Sequence, residues 1–177
     1  MKALVFDTET TGLVINGMIR DEMFPEVIEY CGVVVDLAKG TIGVPFATLV
    51  KPSRTIPEEN TNITGIDMEM VANAPLFATV ASQIQKQIES SICVIAHNLS
   101  FDKEMIDKEM SRAGLSIKWP RGLCTVEQTV YLKGFRLSES ALYEHLFNEK
   151  MKVAHRAEVD VMALSRIAIE LFKRGML

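Results

Sequence analysis

The sequence predicts an α/β layer fold in which helices pack on a mixed β-sheet. The first 50 residues contain strand-like segments without a helical pattern, whereas later strands alternate with amphipathic helices. The chain has 177 residues, of which 48% are hydrophobic, enough for one sizeable core. We therefore expect a single domain over residues 1–177, with three antiparallel strands followed by parallel strands.

The first three strands are predicted to form an antiparallel meander. Residues 4–6 are an apolar run typical of a strand buried on both faces. Residues 27–35 are rich in Val, Ile and Tyr, and a third strand is expected around residues 44–50. Lys39-Gly40 marks the tight turn between the second and third strands.

The middle of the chain introduces helices. Residues 53–75 are predicted to be a loop with one helical turn near residues 67–71. A helix entered at Pro75 follows, because its apolar residues recur with the 3.6-residue period: Phe77, Val80, Ala81, Ile84 and Ile88. Residues 92–96 form a short apolar strand, which is reached through this helix and should lie parallel to its neighbour by a right-handed crossover.

The last third of the chain is predicted to be mainly helical. A helix over residues 101–113 should end at Gly114. Residues 124–126 are expected to form an edge strand, and Thr125 with Gln128 fits a capping box for a small helix. Helices around residues 138–147 and 157–173 complete the fold.

Composition narrows the function classes. The net charge is −4. If four acidic residues belong to a metal site, the remaining 19 acidic residues balance the 19 basic ones in charge. The chain can therefore act on nucleic acid, although it lacks the basic excess of a protein that grips duplex phosphates broadly. No apolar run reaches the ~18 residues of a membrane span, and we expect no leader segment before the first strand. We expect a soluble, cytoplasmic protein whose three cysteines are buried free thiols.

Four acids occupy positions where solvated carboxylates are not expected. Asp7 and Glu9 end the first strand two residues apart, so the strand period of two places them on one face. Asp102 and Asp160 each fall on an otherwise apolar helix stripe. Inward carboxylates are costly unless they are neutralised. Because no matching set of inward Arg or Lys is evident, the pattern predicts bound cations.

The donor set predicts the cation and the chemistry. Oxygen ligands favour Mg²⁺, with Mn²⁺ as a substitute, over zinc. Four carboxylates can hold two such ions ~3.5–4 Å apart, which clamps the attacking and leaving oxygens of phosphodiester cleavage. His155, five residues before Asp160, is placed to accept a proton from water near neutral pH. His97 is expected only to support the site, and His145 to pack or lie on a helix surface.

Four segments resemble the successive motifs of the DEDDh 3′→5′ exonucleases, which include the proofreading subunit of bacterial replicative polymerase. They are Phe6-Asp7-Thr8-Glu9-Thr10-Thr11-Gly12-Leu13, Ile63-Thr64-Gly65-Ile66, His97-Asn98-Leu99-Ser100-Phe101-Asp102 and His155-Arg156-Ala157-Glu158-Val159-Asp160. The resemblance covers nearly the whole chain in the family's order. It implies a ribonuclease H-like fold in which Asp7, Glu9, Asp102 and Asp160 bind two Mg²⁺ ions and His155 is the general base.

The resemblance also implies how the end of a strand is held. Thr10, Thr11, Gly12 and Leu13 are expected to meet the terminal nucleotide. Leu13 and Ile66 would wedge against its base, while Asn98 and Phe101 would shape the pocket. Apolar and stacking contacts accept any base, which suits a degrading enzyme. The alternative for Leu13 and Ile66 is ordinary core packing.

Two segments depart from the family pattern. Residues 14–26 are longer and more irregular than is typical, and Arg20, Asp21 and Glu22 either border the cleft or form a solvated loop, which we favour. Trp119 either stacks on a nucleotide or anchors packing, the commoner role of a Trp beside a Pro.

Together these features predict a metal-dependent exonuclease that hydrolyses single-stranded nucleic acid from the 3′ end and releases 5′-monophosphates, with DNA preferred. Its expected partners are DNA or RNA 3′ ends, with a DNA polymerase or another replication or repair protein as a candidate. The alternatives are an RNA-trimming exoribonuclease and a non-catalytic, polymerase-associated binding module of the same fold. A binding module has no need to keep five costly polar residues inward.

Overall fold

The central strand of the sheet is β1 (Lys2–Thr10), which is buried on both faces over residues 3–6. The computed structural model describes residues 1–14, 24–151 and 155–177. β1 pairs antiparallel with β2 (Val27–Asp36), with Glu9 opposite Glu29, and parallel with the strand that follows the second helix. The predicted mixed sheet is confirmed.

The third predicted strand is two short ones. β3 (Thr41–Ile42) and β4 (Phe46–Leu49) both pair antiparallel with β2, at different points along its length. Between them a Cβ on Gly43 would lie 2.9 Å from the carbonyl oxygen of Val34, and Pro45 has no N–H to donate. The prediction of one continuous strand over residues 44–50 is therefore wrong, although the antiparallel meander is confirmed.

The predicted loop over residues 53–75 contains a helix that the sequence did not reveal. α1 (Glu58–Thr64) ends at Gly65, whose positive φ of 69° lets its N–H bond the carbonyl of Thr61. Only one of its seven residues is buried, so no apolar stripe marked it. The helical turn expected near residues 67–71 occurs as hydrogen-bonded turns over residues 68–73.

The central helices agree with the predicted periodicity. α2 (Phe77–Glu89) buries Phe77, Ala81, Ile84 and Ile88, as expected, and leads into β5 (Cys93–Ala96), which lies parallel to β1. α3 (Leu99–Arg112) begins two residues before the predicted start and ends one residue before the predicted end, next to Ala113 and Gly114.

The last strand and its helix are shifted from the prediction. β6 (Arg121–Cys124) pairs parallel with β5 and begins three residues earlier than expected. α4 (Thr125–Thr129) begins at Thr125 itself, so Thr125 is not its cap and the capping box is wrong. The Thr125 hydroxyl instead bonds Nδ1 of His97, at 2.9 Å. α5 (Glu139–Phe147) and α6 (Ala157–Lys173) match the expected helices closely.

Two apolar layers cover opposite faces of the sheet. Ala3 and Val5 of β1 face α5 and α6, whereas Leu4 and Phe6 face α2 and α3. The face with α5 and α6 is also the face of Asp7 and Glu9, since strand residues alternate sides. In the described ranges, no helix combines the length and apolarity needed to cross a bilayer. All three cysteines lie in these ranges, and they are buried and free, as predicted.

Candidate active site

An acidic cleft of about 520 Å³ opens where the parallel strands β1 and β5 end. Because parallel strands bring their carboxyl ends to one edge, side chains that follow both strands converge there. The predicted catalytic residues all line this cleft: Asp7, Glu9, Asp102, His155 and Asp160. Residues more than 150 positions apart in sequence are thus brought into one site.

Asp102 is held in the first turn of α3 by the strand it faces. Its Oδ1 accepts hydrogen bonds from the backbone N–H of Thr8, at 3.0 Å, and from the Thr8 hydroxyl, at 2.8 Å. The side chain is only 2% exposed. Burial raises the pKa of Asp102 to about 7, while the Thr8 bonds act in the opposite direction. The helix from one face of the sheet therefore delivers its carboxylate to the strand end.

Glu9, His155 and Asp160 form the tightest group in the cleft. One candidate ligand atom from each lies within 4.8 Å of the other two. His155 has a φ of 71°, a conformation that histidine adopts more readily than most residues. Its backbone N–H donates to Oδ2 of Asp160 at 2.8 Å, so the turn before α6 and the carboxylate fix each other.

The carboxylates repel one another inside the cleft. Burial, followed by the charge of Asp160, raises the pKa of Glu9 to about 8. Burial and the neighbouring carboxylates hold the pKa of Asp7 well above its usual value, and burial also raises that of Asp160. Oδ1 of Asp160 is buried without a hydrogen-bond partner among the described residues. Clustered oxygen donors with an orphaned oxygen fit a divalent cation of the Mg²⁺ type.

Glu29 is a supporting residue that was not predicted from the sequence. It is 4% exposed on β2 and accepts two hydrogen bonds from Arg156, at 2.8 and 3.1 Å. It also accepts the backbone N–H of Ala157, at 2.9 Å, where α6 begins. Glu29 therefore fixes the start of the helix that carries Asp160. A glutamate within an otherwise apolar strand segment was the available signal.

Glu139, in the first turn of α5, is a fifth carboxylate lining the cleft. Its Oε1 is buried without a hydrogen-bond partner among the described residues. Burial, then the charges of Asp160, Asp102 and Glu9, raises its pKa well above the usual value. A glutamate in a first helical turn is common, so the sequence offered no sign of this position.

His97 links β5 to the segment before α5. Its Nε2 lies 3.1 Å from the carbonyl oxygen of Leu137 and its Nδ1 lies 2.9 Å from the hydroxyl of Thr125. Because a carbonyl only accepts, Nε2 carries the proton and Nδ1 accepts from Thr125. Burial lowers the pKa of His97, which agrees with a neutral ring. This geometry supports the structural role predicted for His97; His145 is exposed on α5.

The residues expected to bind the substrate are divided between two cavities. Phe101 lines the acidic cleft, whereas Thr11, Gly12 and Leu13 line a neighbouring cavity of about 640 Å³. The Thr10 hydroxyl donates to the carbonyl of Gly12 at 2.7 Å and so shapes this segment. Their contacts with a nucleotide stay predictions.

The two residues expected to wedge against the base lie in different environments. Leu13 is 76% exposed and free to meet a ligand. Ile66 is 0% exposed and packs with Ile28, Ile56 and Val71, which is the core-packing alternative. The structure therefore does not bring Ile66 to the cleft, because the turn after α1 directs it inward.

Two further predicted features have defined surroundings. Asn98, in a left-handed conformation before α3, accepts a hydrogen bond from Arg136 at 2.7 Å. Trp119 packs against Phe6, with ring centroids 6.0 Å apart, and donates to Asp107 at 2.7 Å. These contacts favour the packing role for Trp119. Arg20, Asp21 and Glu22 lie outside the described residues.

Solved nuclease structures share this architecture. Exonuclease X in complex with 5′ overhanging duplex DNA matches with a TM-score of 0.70 and 27% identity, over 98% of this chain and 93% of that one. The nuclease domain of 3′hExo, a DEDDh family member bound to rAMP, matches with a TM-score of 0.78 over 98% and 92% of the two chains. Its identity is 16%, so this likeness shows the fold alone. Fold and acidic cleft together define a ribonuclease H-like nuclease.

Sequence comparison identifies the family. Residues 4–168 match the exonuclease family RNase_T. The chain is 32% identical over 176 residues to DNA polymerase III subunit epsilon of Treponema pallidum (strain Nichols), which covers 94% of this chain and 73% of that protein. The chain therefore belongs to the DEDDh family of 3′→5′ exonucleases. It spans only 11 to 18% of the length of several longer relatives.

Proposed function

We propose that the protein is a metal-dependent 3′→5′ exonuclease that acts in the cytoplasm on single-stranded nucleic acid, prefers DNA and releases nucleoside 5′-monophosphates. The observation that carries this proposal is the grouping of Glu9, His155 and Asp160 within 4.8 Å, beside Asp7 and Asp102 in one cleft. A base and several buried carboxylates at one point are the components of phosphodiester hydrolysis.

Asp7, Glu9, Asp102 and Asp160 would hold two Mg²⁺ ions, for which Mn²⁺ would substitute. When bound, such ions supply charge neutralisation for the phosphate oxygens and acidify the attacking water. The carboxylates provide a rigid frame, because Thr8 fixes Asp102 and the backbone of His155 fixes Asp160. Preorganised ligands of this kind lose little energy to reorientation during reaction.

His155 is the general base in this proposal. Its ring lies at the mouth of the cleft, next to Glu9 and Asp160, and the residue is exposed, so it can exchange protons with solvent. It takes the proton of the water that attacks the terminal phosphorus. The bond from phosphorus to the 3′ oxygen then breaks, and that oxygen acquires a proton from solvent.

The preference for DNA is supported by the matched proteins. The relative that shares 32% identity is a subunit of DNA polymerase III, and the structure that shares 27% identity contains duplex DNA. Association with a DNA polymerase is part of the proposal for the same reason. An exoribonuclease, the alternative that the sequence left open, is the second candidate, because RNA differs from DNA at this reaction only by the 2′-hydroxyl of the substrate.

The test is a degradation assay with 5′-labelled DNA and RNA strands of identical sequence, in Mg²⁺ and in EDTA. We expect a ladder of products shortened from the 3′ end, faster on DNA, and none in EDTA. Endonucleolytic products, or no degradation of either strand, would refute the proposal. Faster degradation of RNA would establish the second candidate.

Variants separate the proposed roles. Asp7→Ala and Asp160→Ala should abolish degradation while the chain stays folded. His155→Ala should retain Mn²⁺ binding in calorimetry but degrade at least about 100-fold more slowly, the usual contribution of a general base. An unchanged rate would remove His155 as the base. Absence of Mn²⁺ binding by the unaltered protein would favour the non-catalytic binding module.

A further inference from the structure

We propose that Glu139 is a fifth carboxylate of the metal site and increases the affinity of the cleft for divalent cations. This inference rests on the proposed function, because the cation concerned is the one that the exonuclease reaction uses. It adds a residue outside the four segments that resemble the family motifs, since Glu139 lies between the third and fourth of them.

The position of α5 brings Glu139 to the cleft. α5 packs on the face of the sheet that also carries Asp7 and Glu9, whereas Asp102 arrives from α3 on the other face. Glu139 stands at the N-terminus of α5, level with the end of β1, and lines the cleft together with these acids. Its carboxylate thus lines the site from an element that carries none of the four predicted ligands.

Two buried oxygens in the cleft lack partners among the described residues. They are Oε1 of Glu139 and Oδ1 of Asp160, and Asp160 is 8% exposed. Leaving buried carboxylate oxygens unpaired is costly. No Arg or Lys within the described ranges forms an ion pair with either residue. Divalent cations bound in the cleft would supply the positive charge that both carboxylates lack.

The backbone that carries Glu139 is fixed beside the cleft. His97 holds the carbonyl of Leu137 at 3.1 Å, two residues before Glu139. The hydroxyl of Ser138 accepts the N–H of Ala141 at 3.2 Å and so fixes the first turn of α5. Leu142, fully buried between α5 and the sheet, anchors the next turn. The fixed backbone therefore places the carboxylate among acids that repel it.

Glu139 contributes one more negative charge and one more ligand oxygen, which binds the cation or a water molecule on it. Groups that support metal ligands commonly change metal affinity by about 10- to 100-fold. Because Glu139 adds to an existing set of four carboxylates, we expect its loss to weaken binding by about 10-fold.

The test is Mn²⁺ binding by calorimetry, at one pH, to the full chain and to Glu139→Gln, which keeps the shape and removes the charge. The matched control is Glu144→Gln, which changes an exposed glutamate five residues further along α5. Glu139→Gln should bind Mn²⁺ about 10-fold more weakly, Glu139→Asp should lie between it and the unaltered protein, and Glu144→Gln should bind like the unaltered protein. Thermal unfolding without metal should show that all variants are folded.

The outcomes distinguish this inference from the proposed function. Equal Mn²⁺ affinity of the unaltered protein and Glu139→Gln would refute the role of Glu139 and leave the exonuclease proposal standing. Metal binding that depends on Glu139, without degradation of DNA or RNA, would support this inference and refute the proposed activity. Absence of Mn²⁺ binding by the unaltered protein would refute both.

Discussion

The substitution Asp102→Asn separates charge from shape in the cleft. Asparagine has nearly the same size, and its oxygen can keep the two hydrogen bonds that Thr8 donates to Asp102. It removes a charge that burial disfavours, since the pKa of Asp102 is about 7 against an ordinary 3.8. At pH 8 this difference in pKa means that the buried charge lowers the free energy of unfolding by about 4 kcal/mol. Because the new amide must also be accommodated, we expect the metal-free variant to be more stable by about 1–3 kcal/mol.

The contribution of Asp102 to the stability of the folded protein depends on pH over a defined range. The pKa of Asp102 is raised on folding, so its stabilising contribution is fully present below an unfolded-state pKa of about 3.8 and lost as pH rises through about 7. The advantage of asparagine should therefore grow over this range and be less than half as large at pH 5 as at pH 8. For a domain of this size, about 1 kcal/mol shifts Tm by about 2–4 °C.

Thermal unfolding in EDTA at pH 5 and pH 8 measures this effect. The control is Glu104→Gln, which removes an exposed carboxylate from the same helix and should change stability by less than about 0.5 kcal/mol. In EDTA, Asp102→Asn should raise Tm at pH 8. In a separate scan with Mn²⁺ and no EDTA, Mn²⁺ should raise the Tm of the variant much less than that of the unaltered protein. A lower Tm at pH 8, or an equal shift at both pH values, would refute the claim that the surroundings oppose the Asp102 charge.

Three further predictions test other parts of the structure. Glu29→Ala should lower the free energy of unfolding by about 1–3 kcal/mol, because the N–H of Ala157 loses its acceptor. Urea unfolding measures this loss, and a loss below about 0.5 kcal/mol would contradict the prediction. Mn²⁺ should raise Tm more at pH 8 than at pH 5.5, because at the lower pH it must displace protons from Glu9, whose pKa is about 8, and from Asp102. A larger rise in Tm at pH 5.5 would contradict the assignment of Glu9 and Asp102 as metal ligands. Leu164→Ala, which empties a fully buried position of α6, should cost about 2–5 kcal/mol in chemical denaturation, and a neutral result would show that the core is not packed as described.

The elements predicted well are those with a strong local period. α2, α3 and α6 begin and end within about two residues of the prediction, because apolar residues recur along one side of each helix. Asp102 and Asp160 could be found for the same reason, since each interrupts an apolar stripe. An apolar period confined to a few helical turns depends only on residues that are close together in the sequence, so the sequence alone reveals it.

The elements predicted poorly depend on contacts with distant residues. α1 has a single buried residue, so its periodicity carries no signal. The division of β3 from β4 follows from how closely Gly43 approaches Val34 of β2, and Thr125 bonds His97 rather than capping a helix. In each case the competing partner lies outside the local segment.

The sequence by itself determined which side chains could supply chemistry: two carboxylates at the end of a buried strand, two more on apolar helix stripes, and a histidine near the last. Only the tertiary structure decided which other residues lie in the same cleft as these side chains. Ile66, predicted beside the base, is packed in the core, and Glu139, unremarkable in sequence, is held in the acidic cleft. The physical reason is that burial and electrostatic repulsion depend on all neighbouring elements, and the sheet brings those together from across the chain.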